Sequence, residues 1–223
     1  MNQSRQTLRN PKKALKRLLE TRKRSWSPES GTTFQVLIRT VLSQNTGYKN
    51  QELAYNQLSE KVEITPASLA STPIQIITDA IKPAGMYNIR SKTIKAISQI
   101  IDSKYAGDLS KVIAKPYLEA RSELMLLPGV GKKTADITLL FNAGKNVIPV
   151  DRHIARISKR LKLVQINSNY DDIRTKLEGL IRPKYSLNIH IIFIQFGRDT
   201  CRALNPRCRE CILNDLYPSK ELI

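Results

Sequence analysis

Cysteine is scarce in this sequence: three copies, Cys201, Cys208 and Cys211, stand close together near one end. So few thiols in one place exclude a disulfide framework and read instead as part of a metal site in a reducing compartment. Long apolar runs are missing too. Phe34–Leu42 and Leu187–Phe196 are too short to span a bilayer, and Arg39 interrupts the first. The N-terminal stretch is polar and basic throughout, so no secretory leader is expected. Acidic residues are in deficit, with 19 Asp and Glu against 37 Lys and Arg and a net charge of +18. A membrane or secreted protein is thereby disfavoured, and a polyanionic partner is the first expectation. No stretch alternates with period two for long enough to demand a sheet, and there is no internal repeat or low-complexity segment. The expected fold class is all-α.

Helical spacing is what remains. Leu8, Leu15, Leu18 and Leu19 form a stripe on a helix starting after Pro11, among many basic residues. Thr33–Leu42 carries Phe34, Leu37, Ile38, Val41 and Leu42 at core spacing and ends in the polar loop Ser43-Gln44-Asn45-Thr46-Gly47. Asn50–Val62 is amphipathic. Thr65-Pro66 and Thr72-Pro73 each read as a helix start with proline at the first helical position. Ala84-Gly85-Met86-Tyr87-Asn88 reads as a loop before the long helix Ile89–Tyr105. Later helices are expected at Val150–Lys162, opened by Asp151, Arg152 and His153, at Tyr170–Ile181 and at Leu187–Arg198.

The centre of the chain is Leu127-Pro128-Gly129-Val130-Gly131-Lys132-Lys133-Thr134-Ala135. Tyr117–Leu127 and Lys132–Asn142 read as helices on either side. Pro128 cannot continue the first helix. Gly129 and Gly131 permit positive φ and close backbone approach. The product is a tight helical hairpin whose amides, at the start of the second helix, suit an anion such as phosphate. Lys132 and Lys133 stand directly behind it with equal claims as a phosphate ligand or as a nucleophile.

Three features then coincide in order: this hairpin, Val150-Asp151-Arg152-His153, and the Cys-x6-Cys-x2-Cys tail after Gly197-Arg198. In these the chain resembles the endonuclease III family of the helix-hairpin-helix DNA glycosylase superfamily, over roughly residues 34–217. The resemblance implies two helical domains flanking a DNA groove. A six-helix domain would run over 24–144, and residues 1–23 with 145–223 would form the other. It implies a glycosylase and abasic-site lyase of base excision repair, acting on oxidised pyrimidines in duplex DNA. The partner is double-stranded DNA with a damaged base or abasic site; a monomer suffices, and a cytoplasmic, nucleoid-associated location is expected. An 8-oxoguanine or mismatch glycosylase and a non-catalytic hairpin protein are the alternatives.

The resemblance selects Lys133 as the nucleophile and leaves Lys132 as a phosphate or solvent residue. A lysine amine attacking C1′ displaces the base and leaves an imine. Asp151 is the second catalytic candidate, a carboxylate that takes a proton and balances the cationic sugar; on the residues alone it is equally an N-cap. Gly129, Val130, Gly131 and Arg152 are candidate DNA contacts. Removing a base from the stack leaves a gap, and the resemblance places Gln44, Asn45, Met86 and Tyr87 to fill it. Tyr48 stands where the family often has an acidic residue. His153 and His190 read as structural. For the tail the resemblance implies a [4Fe–4S] cluster, but the family's fourth ligand position is Tyr217 here rather than cysteine. Three readings stay open: a cluster with another fourth ligand, zinc with three thiolates, or small buried thiols with no metal.

Overall fold

A computed structural model describes residues 10–28 and 31–216, and among them twelve α-helices and two short 3-10 turns form with no strand. The all-α expectation holds. Leu8 and Tyr217 lie outside the described residues. No described helix is long and apolar enough to cross a membrane.

The chain opens with α1 (Pro11–Thr21). Asn10 caps it, its side-chain oxygen accepting from the Lys13 amide at 2.9 Å, and Pro11 occupies the first turn where its missing N–H costs nothing. Then come α2 (Thr33–Ser43), α3 (Tyr48–Lys61), α4 (Pro66–Ser71), α5 (Ile74–Ala80), α6 (Tyr87–Tyr105), α7 (Ser110–Ala114), α8 (Tyr117–Leu124) and α9 (Lys132–Ala143). The last three are α10 (Arg152–Arg160), α11 (Tyr170–Leu180) and α12 (Ser186–Asp199).

Caps explain most boundaries. Thr32 and Gln35 form a reciprocal capping box on α2, and Asn169 and Asp172 form one on α11. Thr65 caps α4 with Pro66 as its first residue, as the sequence implies. Several boundaries depart from it, three of them for a visible reason. Pro73 is the N-cap of α5 rather than its first residue. Tyr87 and Asn88 belong to α6, because Met86 turns into the left-handed region at φ 50° and starts the helix there. The helix α8 stops at Leu124, since the amides of Leu126 and Leu127 bond back to Glu123 and Leu124 at 3.1 Å in tight three-residue turns.

The chain divides into two compact units, one of residues 28–145 and one in which residues up to 27 join those from 146 onward. In the first, α2 packs on α9, α8 on α9, and α4 on α6. Leu37, Ile38, Leu42, Leu58, Leu69, Ile77 and Ile94 are fully buried there. The second unit unites α1 with α12 and α10 with α12. Its core takes Leu15 and Leu18 from α1, Ile154 and Ile157 from α10, Phe193 and Phe196 from α12, and Leu213 from the tail.

Candidate nucleic-acid interface

The hairpin is as tight as its proline and glycines require. Gly129 takes φ +70°, and a Cβ there would lie 2.8 Å from the Thr93 methyl of α6. Glycine is needed at this point on both counts. Gly131 is different. Its φ is −89° with ψ −179°, ordinary extended backbone, so conformation does not demand glycine there. A Cβ at Gly131 would meet nothing within 4 Å. Val130 is buried, and its amide is used inside the turn, donating to the Leu127 carbonyl at 3.1 Å. It is therefore core, and its amide is not among those offered to an anion. Lys132 and Lys133 are both exposed in the first turn of α9.

Beneath the hairpin is a polar lock that sequence reasoning missed. Asp136 on α9 is completely buried. Its Oδ1 accepts from the Tyr117 hydroxyl at 2.8 Å and from Arg121 Nε at 2.9 Å. Both donors are on α8, so a charge-assisted pair fixes the two arms of the hairpin to each other. The spacing of Tyr117 and Arg121, one turn apart on the same face of α8, was the available signal.

The loop after α2 is tied to this hairpin. Gln44 Nε2 donates to the Gly129 carbonyl at 3.1 Å and to Thr134 Oγ1 at 3.3 Å. A carbonyl accepts only, so the amide nitrogen must be the atom facing it. Thr46 Oγ1 donates to the Ala84 carbonyl at 2.7 Å, joining this loop to the turn before α6. Arg90, from the first turn of α6, runs beneath both. It is 4% exposed and donates to the carbonyls of Val41, Leu42 and Gln44. Burial pushes its pKa down from the ordinary guanidinium value; the carbonyl dipoles at the end of α2 compensate the buried charge. Asn45 is exposed, and Met86 and Tyr87 keep 55% and 37% of their surface exposed, so neither belongs to the core.

Asp151 lies in the other unit, at the N-terminus of α10. Its Oδ1 accepts from the amides of His153 at 2.9 Å and Ile154 at 2.8 Å, so it is an N-cap. Oδ2 has no such partner among the described residues. Arg152 is exposed. His153 packs on Gly197 of α12, where a Cβ would come within 2.8 Å of it, and its Nδ1 lies 3.1 Å from Arg156 Nη2. Burial lowers the His153 pKa. Buried His190 donates from Nδ1 to the Pro149 carbonyl at 3.0 Å. Both histidines are structural in this geometry.

Cys201, Cys208 and Cys211 line one cavity of about 30 Å³, with Arg160, Phe196 and Leu213. All three are free thiols, and burial raises the pKa of Cys211. The loop is bonded largely through its backbone. Arg156 donates to the Cys201 carbonyl at 3.0 Å, Arg160 to the Ala203 carbonyl at 3.0 Å, and Arg17 to the Ile212 carbonyl at 2.9 Å. Among the described residues no group of three or more His, Cys, Asp or Glu side chains is arranged to hold a metal ion. A cubane cluster takes four thiolates. The residues present do not fit it.

Fold and hairpin together define a class, the base excision DNA glycosylases: a family model described as HhH-GPD superfamily base excision DNA repair protein matches residues 38–183. Within that superfamily the chain belongs to the endonuclease III family. It is 37% identical to endonuclease III of Thermotoga maritima over 182 residues, 82% of this chain and 81% of that one. It is 33% identical to endonuclease III of Sulfolobus acidocaldarius over 183 residues, 82% and 80% of the two chains. Among solved structures, a trapped covalent intermediate of endonuclease III with DNA superposes with a TM-score of 0.81 at 27% identity, covering 94% of this chain and 96% of that one.

Proposed function

We propose that this DNA glycosylase is bifunctional: it removes oxidised pyrimidines from duplex DNA and then cleaves the strand as an abasic-site lyase, working as a monomer. Lys133 is the nucleophile. Its Nζ attacks C1′ and the base leaves with the electron pair of the glycosidic bond. Loss of one amine proton leaves an aminal at C1′; the sugar ring then opens, O4′ leaving C1′ with the C–O electron pair and taking up a proton, and nitrogen's lone pair forms the imine. The imine acidifies C2′, and abstraction of a C2′ proton expels the 3′ phosphate by β-elimination. The attacking amine must be unprotonated, and a positive charge in the first turn of a helix is disfavoured by the helix dipole. Asp151 uses Oδ1 as a cap and offers Oδ2 as the carboxylate that accepts a proton and balances charge on the sugar. Gly129 and Gly131 with Lys132 hold the DNA backbone, Arg152 adds a cationic contact, and Gln44, Asn45, Met86 and Tyr87 occupy the space the base leaves. No step uses a metal.

The observation that carries this reading is the exposed Lys133 in the first turn of α9, directly behind the hairpin, in a chain of the endonuclease III family. That a relative of the same fold has been trapped as a covalent intermediate with DNA supports it. The experiment is borohydride trapping on a set of duplexes, each with one lesion. Wild-type protein is expected to cross-link and nick oxidised-pyrimidine duplexes, and Lys133→Ala to do neither. Normal trapping by the alanine variant would overturn the assignment. A preference for 8-oxoguanine over every pyrimidine lesion would overturn the substrate class.

A further inference from the structure

The exposed tips of two loops rest on one buried cation. The first loop leaves α2 through Gln44, Asn45 and Thr46; the second enters α6 through Ala84, Gly85 and Met86. Helix ends leave carbonyls without intrahelical partners, and Arg90 meets this need at the end of α2. Its Nη1 donates to Val41 and Leu42 and its Nη2 to Gln44. Because Arg90 is itself the fourth residue of α6, the same side chain fixes the start of α6 against the end of α2. Thr46 Oγ1 adds a direct tie to Ala84 at 2.7 Å. The Gln44 amide extends the assembly to Gly129 and to Thr134, the residue after Lys133.

Two non-glycine residues within these loops are held in the left-handed region, Asn45 at φ 54° and Met86 at φ 50°. Asparagine tolerates this conformation, whereas an unbranched methionine is seldom found in it. Such conformations persist where the surroundings over-determine them, and they concentrate at functional positions. Both are on exposed tips. An ordinary helix C-cap needs no buried arginine reaching from another helix, and a solvent loop needs no methionine at positive φ.

We infer that Arg90 is a positioning residue: it holds the Asn45 and Met86 tips as one preset probe that opens the base stack, so that base release from paired DNA depends on it. This rests on the glycosylase reading above. Opening a pair costs energy before any chemistry. A preformed abasic site has no base to unpair, so the later lyase step should need the preset probe far less.

The test is Arg90→Lys, which keeps the charge but loses the three-carbonyl fork, beside Arg90→Met. Three readouts are taken: base release from a duplex with one paired oxidised pyrimidine, nicking of the same duplex with a preformed abasic site, and fluorescence of a 2-aminopurine next to the lesion. Arg90→Lys is expected to release the base about tenfold more slowly with weaker 2-aminopurine brightening, while nicking the abasic duplex at close to the wild-type rate. Parallel loss of both activities, or no loss of either, would overturn the inference. Should Arg90→Met fail to fold, Thr46→Val, which removes the tie to Ala84 without touching the buried cation, is expected to show the same split. Wild-type protein inactive on both duplexes would instead sink the glycosylase reading, a failure visible before any Arg90 variant is made.

Discussion

In the proposed reaction Asp151 serves both fold and chemistry. The two amides it caps both bond to Oδ1, at 2.9 and 2.8 Å, and the proposal gives the chemistry to Oδ2. The two duties separate by substitution, because asparagine caps a helix as well as aspartate does but carries no charge. Asp151→Asn should therefore keep the melting temperature and lose most base release. Asp151→Ala should lose base release and also about 1 kcal/mol of stability through the missing cap. Thermal melts and single-turnover base release on both variants check this. An asparagine variant that turns over normally would make Asp151 a cap and nothing more. From sequence, the position could be read in both ways, since a carboxylate at a helix start is the signature of each. Which oxygen does what was not readable, because the choice depends on the rotamer.

At the scale of elements, the hairpin was legible and its supports were not. A proline and two glycines announce the corner, and apolar spacing announces the helices on each side. The reason for each glycine is tertiary. Gly129 must lack a Cβ because Thr93 of α6 lies 2.8 Å from where it would be, and must be glycine again because φ is +70°. Gly131 answers to neither condition. Gly129→Ala should therefore lower stability by about 1–2 kcal/mol from backbone strain alone, with a further loss from the contact. Thr93→Ala removes the obstructing methyl. The double variant should recover the contact part and keep the strain part, a coupling that a double-mutant cycle measures by denaturant melts. Strict additivity would show that the Thr93 contact is absent in solution. Arg121 with Asp136 and Arg90 with Leu42 escaped the sequence reading for one reason. An arginine or aspartate in a helical pattern reads as solvent face, and only the third dimension shows that it is buried and paired.

The cysteine loop belongs to the same scale. The family resemblance implies a cluster here, yet the set of cysteines stops at Cys201, Cys208 and Cys211, and arginines from α1 and α10 bond the loop's backbone carbonyls. Leu213 anchors it as a fully buried core residue. Bonds of this kind need no metal, so the loop should survive without one. Purified protein is expected to contain no stoichiometric iron or zinc by elemental analysis and to show no visible charge-transfer absorption. Its melting temperature should be unchanged by a strong chelator. Stoichiometric metal that is lost together with structure would overturn this.

For the whole molecule, the excess of basic residues is the broadest feature, and it was fully legible in the composition, +18 overall. Charge of this kind drives binding through counterion release, with log K falling by about 0.9 per phosphate neutralised for each unit of log salt. It acts on any duplex, damaged or not, so it carries no selectivity, which the proposal assigns to the hairpin and loops. This gives a way to divide the work of two adjacent lysines that sequence treats alike. If Lys132 serves phosphate, Lys132→Ala should flatten the salt dependence of binding to an undamaged duplex by about one charge, while borohydride trapping at saturating protein is kept. Lys133→Ala should abolish trapping whatever it does to the slope, because the proposal assigns the covalent bond to Lys133. Binding isotherms at several salt concentrations, set beside trapping yields, decide the matter. Loss of trapping in the Lys132 variant with retention in the Lys133 variant would exchange the two roles and move the nucleophile one residue toward the turn.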